Sequence, residues 1–232
     1  MRPPRKIPRR HFLRLAASGV VFPAIVPASA RGASGATAPS DRIGLGVIGV
    51  GGMGTGHVRG FLTQPGVQVR AVCDVKGAHR DRAVDVVEAA QGSGSCAAHR
   101  DFRELLARDD IDAVCIATPD HWHARIGVEA ARRGKHMYYE KPCSRTIAEN
   151  KTLREAVRRS GVVFQFGTQQ RSSDNYRHAC ELVRNGRIGQ LQTIMIGSAT
   201  SPPNELHPEQ PVPSDLDYDL WLGPAPWAPY CD

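Results

Sequence analysis

Residues 43–54 read Ile43-Gly44-Leu45-Gly46-Val47-Ile48-Gly49-Val50-Gly51-Gly52-Met53-Gly54. A short run of apolar and small residues leads into glycines spaced G-x-G-x-x-G, and a helical pattern opens at Met53. In a chain with 23 glycines that spacing alone says little. Its surroundings say more, because a second apolar run, Val67–Cys73, ends at Asp74, twenty residues beyond Gly54. Strand, glycine turn, helix, strand and acid in this order are the conditions of a dinucleotide-binding turn. Gly49 would permit the tight turn, Gly51 would let a pyrophosphate approach the backbone, and Gly54 would let the helix pack closely on the strand. Val50, Gly52 and Met53 complete the turn, whose unpaired N–H groups and partial positive charge suit phosphate oxygens. Asp74 would accept hydrogen bonds from the adenosine ribose hydroxyls, and its charge would repel a 2'-phosphate. NAD is therefore expected in preference to NADP, with Lys76 nearby weighing the other way.

Outward from this turn, apolar runs alternate with helical patterns. Strands are expected at 43–48, 67–73, 111–117, 137–140 and 162–166, and helices from 53, at 79–90, 123–133, 146–159 and 175–185. Strands this uniformly apolar have no wet face, which predicts an α/β fold with a Rossmann-type doubly wound parallel sheet covered on both sides. Thr146 with Glu149 forms a capping box, Asp101 with Glu104 resembles one, and Gly134, Gly161 and Gly186 stand where helices should stop. After Gly189 the pattern changes. Residues 191–198 alternate in part, as a strand with one covered face would, and a proline-rich tail follows. A lone strand and such a tail cannot build a second core. The expectation is a dinucleotide domain over 41–189 and, over 190–232, the truncated start of an α+β substrate domain that the first domain does not need in order to fold.

The chain holds 30 Lys and Arg against 23 Asp and Glu. Six of the basic residues, Arg2, Arg5, Lys6, Arg9, Arg10 and Arg14, fall in residues 1–30, and the remaining 24 nearly match the 23 acids. The body thus lacks the excess that binding a phosphate backbone requires, so no nucleic-acid partner is expected. Residues 1–30 instead read as a signal peptide: a basic segment, an apolar run over 15–26 too short to span a bilayer, and Ala28-Ser29-Ala30 as a cleavage site. Arg9-Arg10-His11-Phe12-Leu13-Arg14 looks like the twin-arginine signal, which implies the twin-arginine export machinery as a partner and a periplasmic or secreted protein cleaved near Ala30. Residues 31–40 are a small-residue linker. The six cysteines include no C-x-x-C and read as small buried hydrophobes, with a bridge among Cys96, Cys143, Cys180 and Cys231 left open.

Two further constellations stand at strand ends, where doubly wound sheets bind ligands. Thr118-Pro119-Asp120-His121-Trp122-His123 follows one apolar run and Glu140-Lys141-Pro142 the next. An H-x-H after a strand invites a metal reading, but the glycine turn fixes another fold and no carboxylate–histidine cluster follows, so no metal site is expected. With the glycine turn, Gly167-Thr168-Gln169 and Leu220-Trp221-Leu222-Gly223-Pro224-Ala225-Pro226, these motifs run in the order of the Gfo/Idh/MocA oxidoreductases, which the sequence resembles from about Ile43 to its end.

The resemblance implies that Lys141 reaches the nicotinamide ribose and the reacting carbon of a substrate. There an ammonium can polarise the C–O bond, stabilise charge on oxygen as hydride leaves, and shuttle a proton where burial lowers its pKa. It also implies that Thr118, Pro119, His123 and Glu140 belong to the cofactor site, and that the bond before Pro142 is cis. Gln169 either lines the crevice or opens a polar loop. The implied activity is hydride transfer between nicotinamide and a sugar, cyclitol or related polyol, in an enzyme whose full-length relatives form homo-oligomers. A second reading is an NAD-dependent glycosidase that oxidises its sugar transiently and eliminates the aglycone; a third is an inactive dinucleotide-binding fragment. Further catalytic groups of such enzymes, commonly an aspartate and a histidine about a helical turn apart, would lie beyond Asp232.

Overall fold

The computed structural model describes residues 37–197 and 207–231. The twin-arginine segment, its cleavage site, and Ser198 of the expected strand lie outside the described residues. The described residues fall into two units, one ending at Asp41 and the other beginning at Arg42. The described part of the first contains one 3-10 turn, Pro39–Asp41.

In the second unit the elements follow as β1 Ile43–Ile48, α1 Gly52–Leu62, β2 Val67–Cys73, α2 Gly77–Gln91, β3 Ala97–His99, α3 Phe102–Leu106, β4 Ala113–Ile116, α4 Asp120–Arg132, β5 His136–Glu140, α5 Ile147–Ser160 and β6 Phe164–Gly167. A 3-10 turn Gln169–Ser172, α6 Asp174–Arg184 and the short α7 Tyr218–Leu222 complete the chain. The six strands form one sheet in the order β3-β2-β1-β4-β5-β6. Every pairing is parallel, so β1 lies between β2 and β4 with all carboxyl ends on one edge. This is the doubly wound Rossmann-type arrangement, with its strand order reversing between β1 and β4.

Side chains alternate along the strands, so the sheet carries two cores. Ile48, Ala71, Cys73, Val114, Ile116, Met137 and Tyr139 meet α3, α4 and α5 through Phe102, Leu105, Ile126, Ala130 and Leu153. Leu45, Val47, Val69, Val72 and Cys115 meet α1 and α2 through Val58, Ala83 and Val87 on the other face. Burying a Val or Leu side chain contributes about 1.5–3 kcal/mol, which makes two covered faces the main source of stability. The cap signals hold: Thr146 and Glu149 bond each other's backbone N–H reciprocally, and Gly161 closes α5 in the left-handed region. Asp101 caps α3, but by accepting from Arg103 N–H, while Glu104 faces His99.

Three expectations are corrected. β3 is missing from the expected strands and α3 is signalled only by the Asp101–Glu104 pair, because Ala97-Ala98-His99 is a three-residue edge strand with too little apolar pattern to register. Residues 191–197 form no strand, and Ile194, Met195 and Ile196 are exposed. Backbone N–H and C=O groups make a strand only against a ladder partner, and no described residue offers one. The proline-rich tail is not idle either. Leu222 is buried, Leu220 packs against the α3–α5 core, and Leu216 makes an antiparallel bridge with Lys76. A domain ending at Gly189 would therefore lose part of its own packing.

Candidate dinucleotide site

The reversal of strand order at β1 and β4 opens a crevice, and the glycine turn sits in it. Gly49 has φ +84°, and a Cβ there would lie 2.7 Å from the backbone of Ala117. Gly54 is pressed against the same turn, its Cβ position only 1.8 Å from the Gly49 carbonyl oxygen. Gly51 is different: the nearest atom to its Cβ position is His79 Cε1 at 3.9 Å. So Gly49 and Gly54 are glycines for the protein's own packing, and the open side of Gly51 is where a ligand can reach the backbone. α1 begins there with no side chain capping its first turn. Its free N–H groups and positive dipole end are an anion site.

Asp74, at the carboxyl end of β2, does a task that sequence did not disclose. Its Oδ2 accepts from Val50 N–H at 2.8 Å and its Oδ1 from Lys76 N–H at 3.0 Å, so the carboxylate ties the glycine turn to β2. His79 Nδ1 stands 3.4 Å from the same Oδ2, and Arg80 donates to the Asp74 carbonyl at 2.7 Å. A carboxylate has about four lone-pair positions, so two remain for ribose hydroxyls.

On the other flank, Thr118 and Pro119 line the crevice after β4. Thr118 Oγ1 is buried without a hydrogen-bond partner, and a buried hydroxyl left unpaired is costly unless a ligand or water meets it. An orphaned hydroxyl, an uncapped helix start and an open Gly51 face together fit a dinucleotide. The cavity holds about 760 Å³ and is lined by Gly49, Gly51, Gly52, Met53, Asp74 and Thr118, among others; pockets for small ligands and cofactors run to about 300–1,000 Å³.

His123 is not among the residues that line the cavity. It is 1% exposed, with Nδ1 2.6 Å from the Pro142 carbonyl and Nε2 2.7 Å from the Thr118 carbonyl. Both nitrogens are turned to backbone, so the ring is a strut between the loops after β4 and β5. Glu140 is likewise buried: His57 Nε2 donates to its Oε1 at 2.7 Å, and its Oε2 accepts from Lys141 N–H at 3.0 Å. Burial, then the Glu140 charge, pushes the Tyr138 hydroxyl up and does the same to the Cys115 thiol. Glu140 thereby joins the glycine-turn helix to the backbone of Lys141. Lys141 itself is exposed, and the Lys141–Pro142 bond is cis. Gln169 is exposed in the turn after β6 and is not a wall of the cavity. Among the described residues no group of three or more His, Cys, Asp or Glu could hold a metal ion, and no helix is long and apolar enough to cross a membrane. All six cysteines are free thiols.

Sequence reasoning missed His57, Trp122 and the returning tail. Trp122 Nε1 donates to the Leu220 and Trp221 carbonyls at 3.0 and 3.1 Å, and the cavity wall includes Leu216, Tyr218, Trp221 and Tyr230. No local pattern links these residues to the turn.

The family described as an oxidoreductase family with an NAD-binding Rossmann fold, GFO_IDH_MocA, matches residues 43–168, more than half of the chain, including the glycine turn, Asp74 and Thr118 but not the returning tail. The chain belongs to that family. Among curated relatives, the Gfo/Idh/MocA chain is 33% identical over 209 residues to an alpha-N-acetylgalactosaminidase of Shewanella oneidensis, covering 80% of this chain and 44% of that protein. It is 32% identical over 210 residues to a glycosyl hydrolase family 109 protein of Shewanella pealeana, with the same coverage. The chain thus spans less than half the length of the curated relatives it matches. Among solved structures it is similar to scyllo-inositol dehydrogenase from Lactobacillus casei with bound NAD(H) and scyllo-inositol, at TM-score 0.56 and 29% identity over 64% of this chain and 42% of that one. A 3-ketoreductase from Actinomadura kijaniata with NADP shares the fold at TM-score 0.57 and 24% identity, covering 64% of this chain and 46% of that one.

Proposed function

We propose that this family member binds NAD across the carboxyl ends of β2, β1 and β4 and serves hydride transfer between the nicotinamide and a sugar, cyclitol or related polyol. The observation that carries the reading is the uncapped glycine turn held by Asp74 at the switch point of the sheet. The N–H groups of Gly51, Gly52 and Met53 would hold the pyrophosphate, Asp74 the adenosine ribose, and Thr118 Oγ1 a further polar group. Bound nicotinamide supplies the hydride donor or acceptor. Glu140 fixes the Lys141 backbone, and the Lys141 ammonium would polarise the substrate C–O bond and stabilise charge on its oxygen. The Asp74 charge supports NAD over NADP, while the similar structures include one with NAD(H) and one with NADP. The twin-arginine pattern at Arg9 and Arg10 supports export to the periplasm or beyond, and homo-oligomer formation is part of the same proposal.

A second reading, transient oxidation of a glycoside followed by elimination of its aglycone, is supported by the glycosidase names of the curated relatives. One experiment separates the two. Purified protein is titrated calorimetrically with NAD, then assayed with sugars, inositols and chromogenic glycosides. NADH accumulating with a polyol supports the dehydrogenase, and aglycone released with no net NADH supports the glycosidase. Failure to bind NAD at all would defeat both.

A further inference from the structure

We propose that residues 215–230 form a strap closing the adenosine end of the cleft, with Tyr218, Trp221 and Tyr230 as the wall on which the adenine base stacks; the inference rests on the dinucleotide reading above. The strap is tied down at two places. Directly after Asp74, Gly77 N–H donates to the Asp215 carbonyl at 2.7 Å and Asp217 N–H to the Val75 carbonyl at 3.1 Å, around the Lys76–Leu216 bridge. Arg100 Nε adds a 3.4 Å contact to Asp217 Oδ2. The second tie lies beyond β4, where Trp122 Nε1 meets the Leu220 and Trp221 carbonyls and His121 Nε2 donates to the Trp221 carbonyl at 2.8 Å. Gly223 lies against the Trp122 ring so closely that a Cβ would fall 2.1 Å from it.

These ties stand at the ends of β2 and β4, on either side of β1. The strap therefore crosses the glycine turn on the side of Asp74 and leaves Glu140 and Lys141, beyond β4, uncovered. A dinucleotide whose pyrophosphate sits on the turn and whose ribose meets Asp74 must place its adenine beneath this crossing. The rings found there suit a base. Tyr218 and Trp221 are stacked at 5.7 Å with an interplanar angle of 14°, and Tyr230 braces Tyr218 edge-on at 5.4 Å. The strap is closed on itself by Tyr218 Oη donating to the Ala228 carbonyl at 3.0 Å. All three rings line the same cavity as Gly51 and Asp74. Stacking on aromatic rings is the common means of holding a base plane without reading its edges. Such a strap would slow cofactor release, because the base leaves only when the strap lifts or the base slides out along it.

The test uses the full chain and its Trp221→Ala, Tyr230→Ala and Tyr230→Phe variants, titrated with NAD, ADP-ribose and nicotinamide mononucleotide. Both alanine variants should weaken NAD and ADP-ribose about tenfold or more, the size of one lost base–aromatic stack. Tyr230→Phe, which keeps the ring, should stay near wild type, and nicotinamide mononucleotide should bind all proteins alike. Where an alanine variant does not fold, photolabelling of the wild type by an azidoadenine analogue of NAD decides, and the label should fall within residues 215–230. Alanine variants that bind NAD and ADP-ribose as wild type does, or label confined to other peptides, would overturn the strap while leaving the dinucleotide site standing. A wild-type chain that binds none of the three ligands would overturn both.

Discussion

One methyl group, added at three glycines within six residues, should give three different outcomes. At Gly54 the new Cβ would lie 1.8 Å from the Gly49 carbonyl oxygen and 2.8 Å from its carbon. Turn and helix would have to part by more than about 1 Å to restore contact distances. Overpacking costs about 1–3 kcal/mol where side chains can yield; here the obstacle is backbone, so the upper end applies. The gain from replacing a helical glycine returns about 1 kcal/mol, leaving Gly54→Ala roughly 2 kcal/mol less stable than wild type. At Gly56, one half-turn on in α1, nothing lies within 4 Å of the Cβ position. There the same gain is unopposed, and Gly56→Ala should be more stable by about 0.5–1 kcal/mol.

Gly51→Ala separates folding from binding. Only His79 Cε1, at 3.9 Å, approaches its Cβ position, so stability should change by no more than about 1 kcal/mol, the range of a cap substitution. The methyl would instead stand where the pyrophosphate must approach, and the same overpacking scale of about 1–3 kcal/mol translates into NAD binding weakened roughly tenfold or more. Urea unfolding measures the first two effects and calorimetry with NAD the third. Equal unfolding midpoints for Gly54→Ala and Gly56→Ala would refute the packing argument. Wild-type NAD affinity in Gly51→Ala would refute the placement of the phosphates.

Ending the chain at Gly189 removes the burial of Leu222 and uncovers Trp122, so that variant should unfold at lower urea by about 2 kcal/mol; an unchanged midpoint would show the tail to be dispensable. Asp74→Ala should relax discrimination between NAD and NADP, and should also cost about 1–3 kcal/mol of stability because Val50 N–H loses its acceptor; both are read by titration and unfolding on one preparation. Native protein at mildly alkaline pH should react with a thiol reagent at the exposed Cys180 and Cys231 but not at Cys73, Cys96 or Cys115. Burial pushes those three thiols up, Cys96 to about 11, and withholds the reactive thiolate; mass mapping that finds them labelled before unfolding would contradict this. Replacing Arg9 and Arg10 with lysine should retain the protein in the cytoplasm, and normal export of that variant would refute the twin-arginine reading.

The residues legible in sequence are those whose task is local. Gly49 to Gly54 declare a turn because the spacing itself is the geometry, and β1, β2, β4 and β5 declare themselves because both of their faces are buried. β3 escaped because it is short, lies at the sheet edge, and is completed by α3 rather than by a long apolar run of its own. The residues after Gly189 misled in the opposite direction. Alternation over 191–198 is a property of the chain, whereas a strand is a property of a pair, and no described partner is present.

His57 and the tail escaped for a further reason. The His57–Glu140 contact joins residues 83 apart and the Trp122–Leu220 contact residues 98 apart, distances over which no periodicity in one segment reports on the other. Gly223, followed by Pro224, reads as an ordinary turn glycine, and its φ of +48° agrees. The closer constraint is the Trp122 ring against its backbone, which makes Trp122 in one motif and Gly223 in the other two halves of a single contact. Each half looked like a mark of family resemblance with no physical task attached. Once joined, they explain each other, since the indole needs a carbonyl acceptor for its N–H and a bare backbone to lie against, and the tail supplies both within residues 220–223.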